Sequence, residues 1–274
     1  MAIPLEDNVS DIIGKAQRGL GISDSQLAEK SGVSAEKIRR MREGNLGDND
    51  ALERAAPFLN LDAAALRKLA GGQWNPEPIE DIDGLAQFNT PYGDMTVNAY
   101  LVWDPTSRGA VAFDTGADCR AMLERVAAEK LSVKLILLTH AHPDHVADLR
   151  RLKKETDAPI YISDRESAEG AEAIPEEKRF RVGSLEIEAR LTWGHSPGGM
   201  TYVIKGLARP VAIVGDSLFA GSMGGGNVSY EDAVRNNRKK ILTLPDETIV
   251  CPGHGPLTTV GKEKSSNPFF AKHR

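Results

Sequence analysis

The 274-residue chain has few cysteines, few aromatic residues and no long apolar run, and these shortages exclude several classes of protein. Only Cys119 and Cys251 occur, so a disulfide-rich secreted scaffold is excluded, and both are interpreted as small buried residues. No stretch is apolar enough to cross a membrane, and the first twenty residues do not match a signal peptide. We therefore expect a cytoplasmic protein without a membrane partner.

The chain also lacks an excess of positive charge, since its formal net charge is -5 at pH 7. This balance argues against a protein whose main activity is to coat nucleic acid or an anionic membrane, and it favours a small-molecule partner. Hydrophobic residues make up 41% of the chain, which is enough for a buried core. The length allows one large domain and one small domain.

Two segments differ in periodicity. Residues 1–70 show a helical pattern without a strand signal, and residues 71–78 contain two glycines and two prolines, which mark a linker. In residues 79–274 short β-branched runs alternate with helical stretches, which predicts an α/β domain with sheet inside and helices outside. The predicted strands are 97–103, 110–113, 133–138, 159–162, 185–191, 200–204, 211–214 and 248–251, and the predicted helices of this domain are 120–130, 147–155 and 230–242.

Five of the six histidines lie in three short motifs that each follow a predicted strand. The motifs are Thr-His140-Ala-His142-Pro-Asp144-His145, Gly-His195-Ser-Pro-Gly and Pro-Gly-His254-Gly, and Asp216 lies in Gly-Asp-Ser between the last two. Loops that follow strands can converge on one cleft. The sixth histidine, His273, is assigned to a solvated tail.

This ligand set predicts a metal centre. Imidazole and carboxylate groups suit zinc, iron or manganese, and two such ions about 3.5–4 Å apart can share a bridging hydroxide and a bridging carboxylate. His140 and His142 can face one metal, whereas Asp144 and His145 turn toward a second position. Asp216 is the natural bridge.

These motifs resemble those of the metallo-β-lactamase superfamily, and most closely those of glyoxalase II, the hydroxyacylglutathione thioesterases. The likeness covers about residues 79–274. It includes Phe-Asp114-Thr-Gly, which resembles the superfamily's first motif, where the aspartate orients the metal ligands from behind. The resemblance implies an αβ/βα sandwich with two metal ions, zinc first and iron or manganese as alternatives. It assigns His140, His142 and His195 to one metal, Asp144, His145 and His254 to the other, and Asp216 to both.

The resemblance also implies the chemistry, in which a metal-bridging hydroxide attacks a thioester carbonyl and Asp144 also orients the hydroxide. Two departures leave the substrate open. Only 20 residues follow His254, so we expect no counterpart of the helical domain with which full-length glyoxalase II binds glutathione, as in the short glyoxalase II-like proteins. Residues 220–227 are rich in glycine where relatives carry an arginine, which suggests a mobile loop.

Alternative activities share much of this ligand set. A lactonase or another ester hydrolase would use the same seven ligands, and a persulfide dioxygenase would use one iron in a similar motif. Ligand identity does not choose between the metals.

The segment from Gln26 to Ser34, followed by Ile38, resembles the helix-turn-helix of phage-repressor-like (XRE) domains. The resemblance implies DNA contacts through Lys37, Arg39, Arg40 and Arg42, which would make the chain a DNA-binding regulator whose metal domain senses a metabolite. Residues 1–70 carry ten Lys and Arg against eleven Asp and Glu, which favours an oligomerising or active-site-covering role instead. If the segment binds DNA, a homodimer is expected, because one such unit reaches one half-site.

Overall fold

The computed structural model describes residues 3–45, 47 and 49–271, and it shows a helical N-terminal region followed by two six-stranded sheets. His273 lies outside the described residues. No helix within the described ranges is both long and apolar enough to cross a membrane.

The N-terminal region consists of short helices that begin at side-chain caps. Asn8 and Ser23 each form a reciprocal capping box with the residue three positions later, and Ser34 and Asp62 accept from one backbone amide each. The helices are α1 (Val9–Leu20), α2 (Asp24–Ser31), α3 (Ala35–Arg42), α4 (Asn49–Ala55), a 3-10 turn (Ala56–Leu59) that contains Pro57, and α5 (Ala63–Ala70).

The first sheet is built in chain order, from β1 at one edge to β6 at the other. β1, β2 and β3 are antiparallel neighbours, whereas β3 to β6 run parallel. The elements are β1 (Leu85–Tyr92), β2 (Met95–Trp103), β3 (Gly109–Phe113), α6 (Arg120–Ala128), β4 (Ser132–Leu137), α7 (Pro143–Val146), α8 (Leu149–Thr156), β5 (Ile160–Ser163) and β6 (Ala171–Ile174).

The second sheet has β7 at one edge and β12 at the other. Its elements are β7 (Arg179–Val182), β8 (Leu185–Leu191), β9 (Met200–Lys205), β10 (Val211–Gly215), α9 (Tyr230–Asn236), β11 (Ile249–Pro252), β12 (Thr258–Thr259) and α10 (Val260–Ser266). The helical stretch predicted at 230–242 consists of α9 followed by a π-helical segment at Asn237–Ile241.

The two sheets pack face to face. One apolar cluster joins Tyr100, Val111 and Phe113 of the first sheet to Ile187 and Tyr202 of the second, and the rings of Phe113 and Tyr202 lie 5.5 Å apart. β3 is buried at every position, whereas β8 alternates between buried residues that enter this core and more exposed polar residues on its other face. Because the two sheets share this core, the loops at one end of the first sheet are fixed relative to those at the same end of the second.

The N-terminal helices share a second apolar cluster with the outer side of the second sheet. Ile12 and Ile13 of α1 belong to the same cluster as Val214 of β10, Met223 and the C-terminal Phe269. Full burial of one side chain of this size stabilises the folded protein by about 1.5–3 kcal/mol. The helices are therefore packed onto the sheet domain and not merely tethered to it. The domain boundary at 71–78 stays a prediction.

Two glycines in α1 provide a matched test of this packing. A Cβ atom at Gly19 would lie 2.1 Å from Cγ of Tyr230 in α9, whereas a Cβ at Gly14 would meet only the mobile end of Arg18, at 3.1 Å. Gly14→Ala should stabilise the protein by about 0.5–1 kcal/mol through helix propensity. Gly19→Ala should destabilise it by about 1–3 kcal/mol, because the whole Tyr230 ring must move. Urea unfolding of both variants measures the difference, and equal stabilisation would contradict the docking of α1 on α9.

Candidate metal centre

The seven candidate ligands lie on four loops that meet at one end of the two sheets. His140 to His145 follow β4, His195 follows β8, Asp216 follows β10 and His254 follows β11. Pro143 begins α7, so the short helix starts inside the first motif and turns Asp144 and His145 back toward the centre. The loops after β10 and β11 are tied together, since the Gly253 amide donates to the Gly215 carbonyl at 2.8 Å.

Three histidine nitrogens converge on one point. Nε2 of His140 and Nε2 of His195 each lie 3.0 Å from Nδ1 of His142. Four ligands at zinc–nitrogen distance from one tetrahedral ion are about 3.3 Å apart, so this spacing matches a single metal position. Asp216 Oδ2 completes the group, at 3.3 Å from His195 Nε2 and 4.0 Å from His140 Nε2.

Asp144, His145 and His254 form a second group of donors. Asp144 Oδ2 lies 3.5 Å from His145 Nε2 and 3.3 Å from His254 Nε2. Asp216 reaches this group as well, since its Oδ1 is 3.3 Å from His145 Nε2 and its Oδ2 is 3.4 Å from His254 Nε2. One carboxylate thus contacts both sets of nitrogens, as a bridge requires.

The donor atoms fit bound cations better than they fit each other. His145 Nε2 and Asp216 Oδ1 are fully buried 3.3 Å apart, yet neither has a hydrogen-bond partner of acceptable geometry among the described residues. An unpaired buried polar atom costs about 1–3 kcal/mol. A divalent cation between the two groups would satisfy both atoms, so the residues present fit a two-metal site.

Three of the ligand histidines have an acceptor at Nδ1 that fixes the proton of that nitrogen away from the centre. His145 Nδ1 contacts Asp114 Oδ2 at 2.8 Å, His195 Nδ1 donates to the Gly225 carbonyl at 2.9 Å, and His254 Nδ1 donates to the Thr96 carbonyl at 2.6 Å. These partners leave the lone pair of Nε2 directed at the site, which is the tautomer a metal needs.

Asp114 does not face the metal positions but supports two of the ligand histidines. Thr139, to which the sequence assigned no role, connects Asp114 to His140. Asp114 accepts from the Thr139 amide and from Thr139 Oγ1, both at 2.7 Å, while Thr139 Oγ1 lies 3.0 Å from His140 Nδ1. One carboxylate therefore orients His145 directly and His140 through Thr139. The left-handed φ of Asp114, 55°, turns its side chain back from the end of β3.

Glu166 was also missed, because it belongs to none of the motifs. Its two carboxylate oxygens accept from the Ala141 amide at 2.6 Å and the Gly198 amide at 2.8 Å. It thus joins the loop after β4 to the loop of His195. Only spatial proximity identifies this role.

The charges of the site favour cations. Burial lowers the pKa of His145 and of His254, but nearby carboxylates outweigh this effect and raise the two pKa values to about 10 and about 11. Burial lowers the pKa of His140 and of His195. Burial raises the pKa of Asp216, but the positive His254 and His145 reverse this and hold it well below its usual range. Protons on His145 and His254 therefore compete with metal ions for the same nitrogens. The affinity for metal should decrease as the pH is lowered.

The glycine-rich loop after Asp216 has a packing role that differs from the mobility suggested by its sequence. A Cβ at Gly224 would lie 1.8 Å from the Asp216 carbonyl and 3.1 Å from His195 Nδ1. Residues 221–224 are buried, and the Gly221 amide donates to Glu263 at 3.0 Å. The glycines allow the loop to approach the ligands closely.

The four basic residues proposed for DNA contact lie together on α3, far along the chain from the ligands. The side chains of Arg39, Arg40 and Arg42 are 64%, 57% and 43% exposed, and they pair with Glu43, Glu36 and Asp24 respectively. Lys37 is exposed on the same helix. Each of the three arginines thus has a carboxylate partner. The contact of the four basic residues with DNA stays a prediction.

Comparison with known proteins identifies the sheet domain. The family model described as "Metallo-beta-lactamase superfamily" matches residues 92–254. The hydroxyacylglutathione hydrolase GloC of Haemophilus influenzae is 32% identical over 198 residues, which cover 63% of this chain and 92% of that protein.

Two crystal structures share the fold. The BLEG-1 B3 metallo-beta-lactamase is 31% identical with a TM-score of 0.58, and the match covers 67% of this chain and 99% of that one. ETHE1 from Myxococcus xanthus is 25% identical with a TM-score of 0.61, and the match covers 69% of this chain and 86% of that one. The family model leaves residues 1–91 unmatched, so the helical region is an addition to the shared domain.

Proposed function

The chain belongs to the metallo-beta-lactamase superfamily, and we propose that it is a dinuclear metal-dependent hydrolase that acts on thioesters. The observation that carries the proposal is the position of Asp216, whose carboxylate contacts both groups of histidine nitrogens. The similarity to a hydroxyacylglutathione hydrolase supports a thioester as the substrate class.

Each residue has a defined task in this proposal. His140, His142 and His195 would hold one divalent ion, Asp144, His145 and His254 would hold the other, and Asp216 would bind both. When bound, such ions make water more acidic and polarise a carbonyl oxygen. Asp144 Oδ2 points at the space between its histidines and can accept and orient a proton there. Asp114 and Thr139 keep the ligand rings in position.

Neither of the two cysteines supplies a nucleophile to this centre. Cys251 is fully buried, and burial raises the pKa of its thiol, while Cys119 lies beside Asp148. Neither thiol is suited to attack a substrate. This composition favours hydrolysis by activated water over a covalent acyl-enzyme.

Two alternatives share the site. A lactone or other ester hydrolase would use the same residues on a different acyl group. A mononuclear iron persulfide dioxygenase is the other alternative, and the similarity to ETHE1 fits it. We favour the hydrolase because the second donor group is complete, so a single iron would leave it unused.

Metal analysis together with a turnover screen tests the proposal. Protein loaded separately with zinc, iron and manganese should bind about two ions per chain and hydrolyse thioesters faster than lactones, β-lactams and phosphoesters. Oxygen consumption with a persulfide substrate is measured on the same samples. Binding of one iron with oxygen uptake and without thioester hydrolysis would favour the dioxygenase instead.

A further inference from the structure

The segment that precedes α1 lies directly against the last metal loop. The Glu6 amide nitrogen is 3.1 Å from the position of a Cβ at Gly255, and the Pro4 carbonyl is 3.6 Å from it. Gly255 follows His254 and has a φ of 77°, so the loop passes under the segment without a side chain between them. Residues outside the shared domain thus lie against the loop that carries His254.

A buried ion pair fixes this segment in place. Lys15 of α1 pairs with Asp7, and their side chains are only 13% and 7% exposed. Lys15 also donates to the Met223 carbonyl at 2.9 Å, and Asp7 accepts from Ser222 Oγ. Removal of one partner from such a pair is costly, so the contact holds the segment to the loop after Asp216.

The contact continues to a metal ligand through an aromatic ring. The Lys15 ammonium lies 5.0 Å from the centre of the Phe219 ring, and Phe219 packs edge-on against His254 at 5.7 Å between ring centres. Lys15 and Asp7 neutralise each other in their ion pair. Glu6 is therefore the remaining charged residue of residues 4–7.

Glu6 is half-buried and forms no hydrogen bond or ion pair with the described part of the chain. Burial raises the pKa of its carboxyl. Its Cβ atom lies 3.5 Å from the position of a Cβ at Gly255, the residue after His254, which places Glu6 close to the centre. In its ionised form the carboxyl carries one negative charge. A negative charge in this position repels an anion that approaches along the same side.

We infer that residues 4–7 form one wall of the substrate cleft and that Glu6 selects thioesters whose thiol part is neutral or cationic over those whose thiol part is anionic. This inference rests on the proposed thioesterase function, and it makes Glu6 a specificity-determining residue supplied by the added helical region. It also gives that region an active-site-covering role.

The test compares Glu6→Gln with the native protein at pH 8 on three lactoyl thioesters, those of glutathione, N-acetylcysteamine and thiocholine, whose thiol parts are anionic, neutral and cationic. In Glu6→Gln, kcat/KM should rise about three- to tenfold for the glutathione ester, fall similarly for the thiocholine ester and stay within about twofold for the neutral ester. Glu29→Gln removes an exposed charge of α2 and should leave all three unchanged.

A binding measurement separates this inference from the proposed function. Titration calorimetry of the metal-loaded proteins with free glutathione and free thiocholine should show the same shift in preference, even if no thioester is hydrolysed. Turnover by the native protein with an unchanged preference in Glu6→Gln would overturn the inference and leave the thioesterase proposal intact. Absence of turnover would overturn the thioesterase proposal, and absence of binding by either thiol would overturn the inference as well.

Discussion

Asp216→Asn should lower kcat/KM by more than about 10³-fold and reduce the bound metal from about two ions per chain to one or fewer. The substitution keeps the size of the side chain but removes the negative charge and one acceptor oxygen. Asp216 Oδ1 lies 3.3 Å from His145 Nε2, and Asp216 Oδ2 lies 3.3 Å from His195 Nε2 and 3.4 Å from His254 Nε2, so this one carboxylate contacts both donor groups. Metal content by mass spectrometry and thioester hydrolysis on the same sample measure both effects.

The matched control is Asp157→Asn. Asp157 is 98% exposed at the end of α8 and has a left-handed φ of 53°, a conformation that asparagine adopts readily. It should keep native activity and metal content. Asp216→Asn that retains two ions and more than a tenth of the activity would show that Asp216 does not bridge.

The strands that the sequence predicts differ physically from those it misses. All four missed strands, β1, β6, β7 and β12, are sheet edges. An edge strand has one unpaired side and polar or charged residues that interrupt its apolar pattern, as in Arg-Phe-Arg-Val of β7 and Ala-Glu-Ala-Ile of β6. Central strands such as β3 and β10 are buried at every position, so their composition alone reveals them.

The candidate ligands could be predicted because metal chemistry restricts residue type and spacing within short motifs. Their supports could not, because a backbone carbonyl such as that of Gly225 or Thr96 can belong to any residue. Glu166 joins two loops and Glu6 lies against Gly255, and no motif marks either residue. Such relations depend on tertiary contacts between distant segments, which a local pattern does not contain.

The helical region shows the same difference between pattern and placement. Its motif resembles a helix-turn-helix, yet α1 shares a core with β10, and the segment before α1 reaches the metal loop. Both features can belong to one chain, because α3 carries its basic residues on an exposed face while α1 faces the sheet domain. Residues 4 and 6 connect the region to the loop of His254, and DNA binding stays a prediction.

The glycine before the last histidine gives a steric test of the whole centre. A Cβ at Gly253 would lie 2.1 Å from Asp216 Oδ1 and 2.7 Å from Cε1 of His145, although the φ of Gly253 is not in the left-handed region. Gly253→Ala should therefore leave the backbone unstrained but displace two ligands. A displacement of about 1 Å can cost about 10²-fold in rate, so kcat/KM should fall by about 10²-fold or more.

Gly71→Ala is the matched control, because a Cβ there meets its nearest neighbour, the Arg67 carbonyl, at an ordinary 3.5 Å. Circular dichroism should show native secondary structure for both variants, while metal analysis should show a loss only in Gly253→Ala. Native activity and two bound ions in Gly253→Ala would mean that the loops after β10 and β11 can separate without cost. The close approach of Gly253 to Asp216 would then have no part in holding the ligands, and the arrangement of the two donor groups would need another cause.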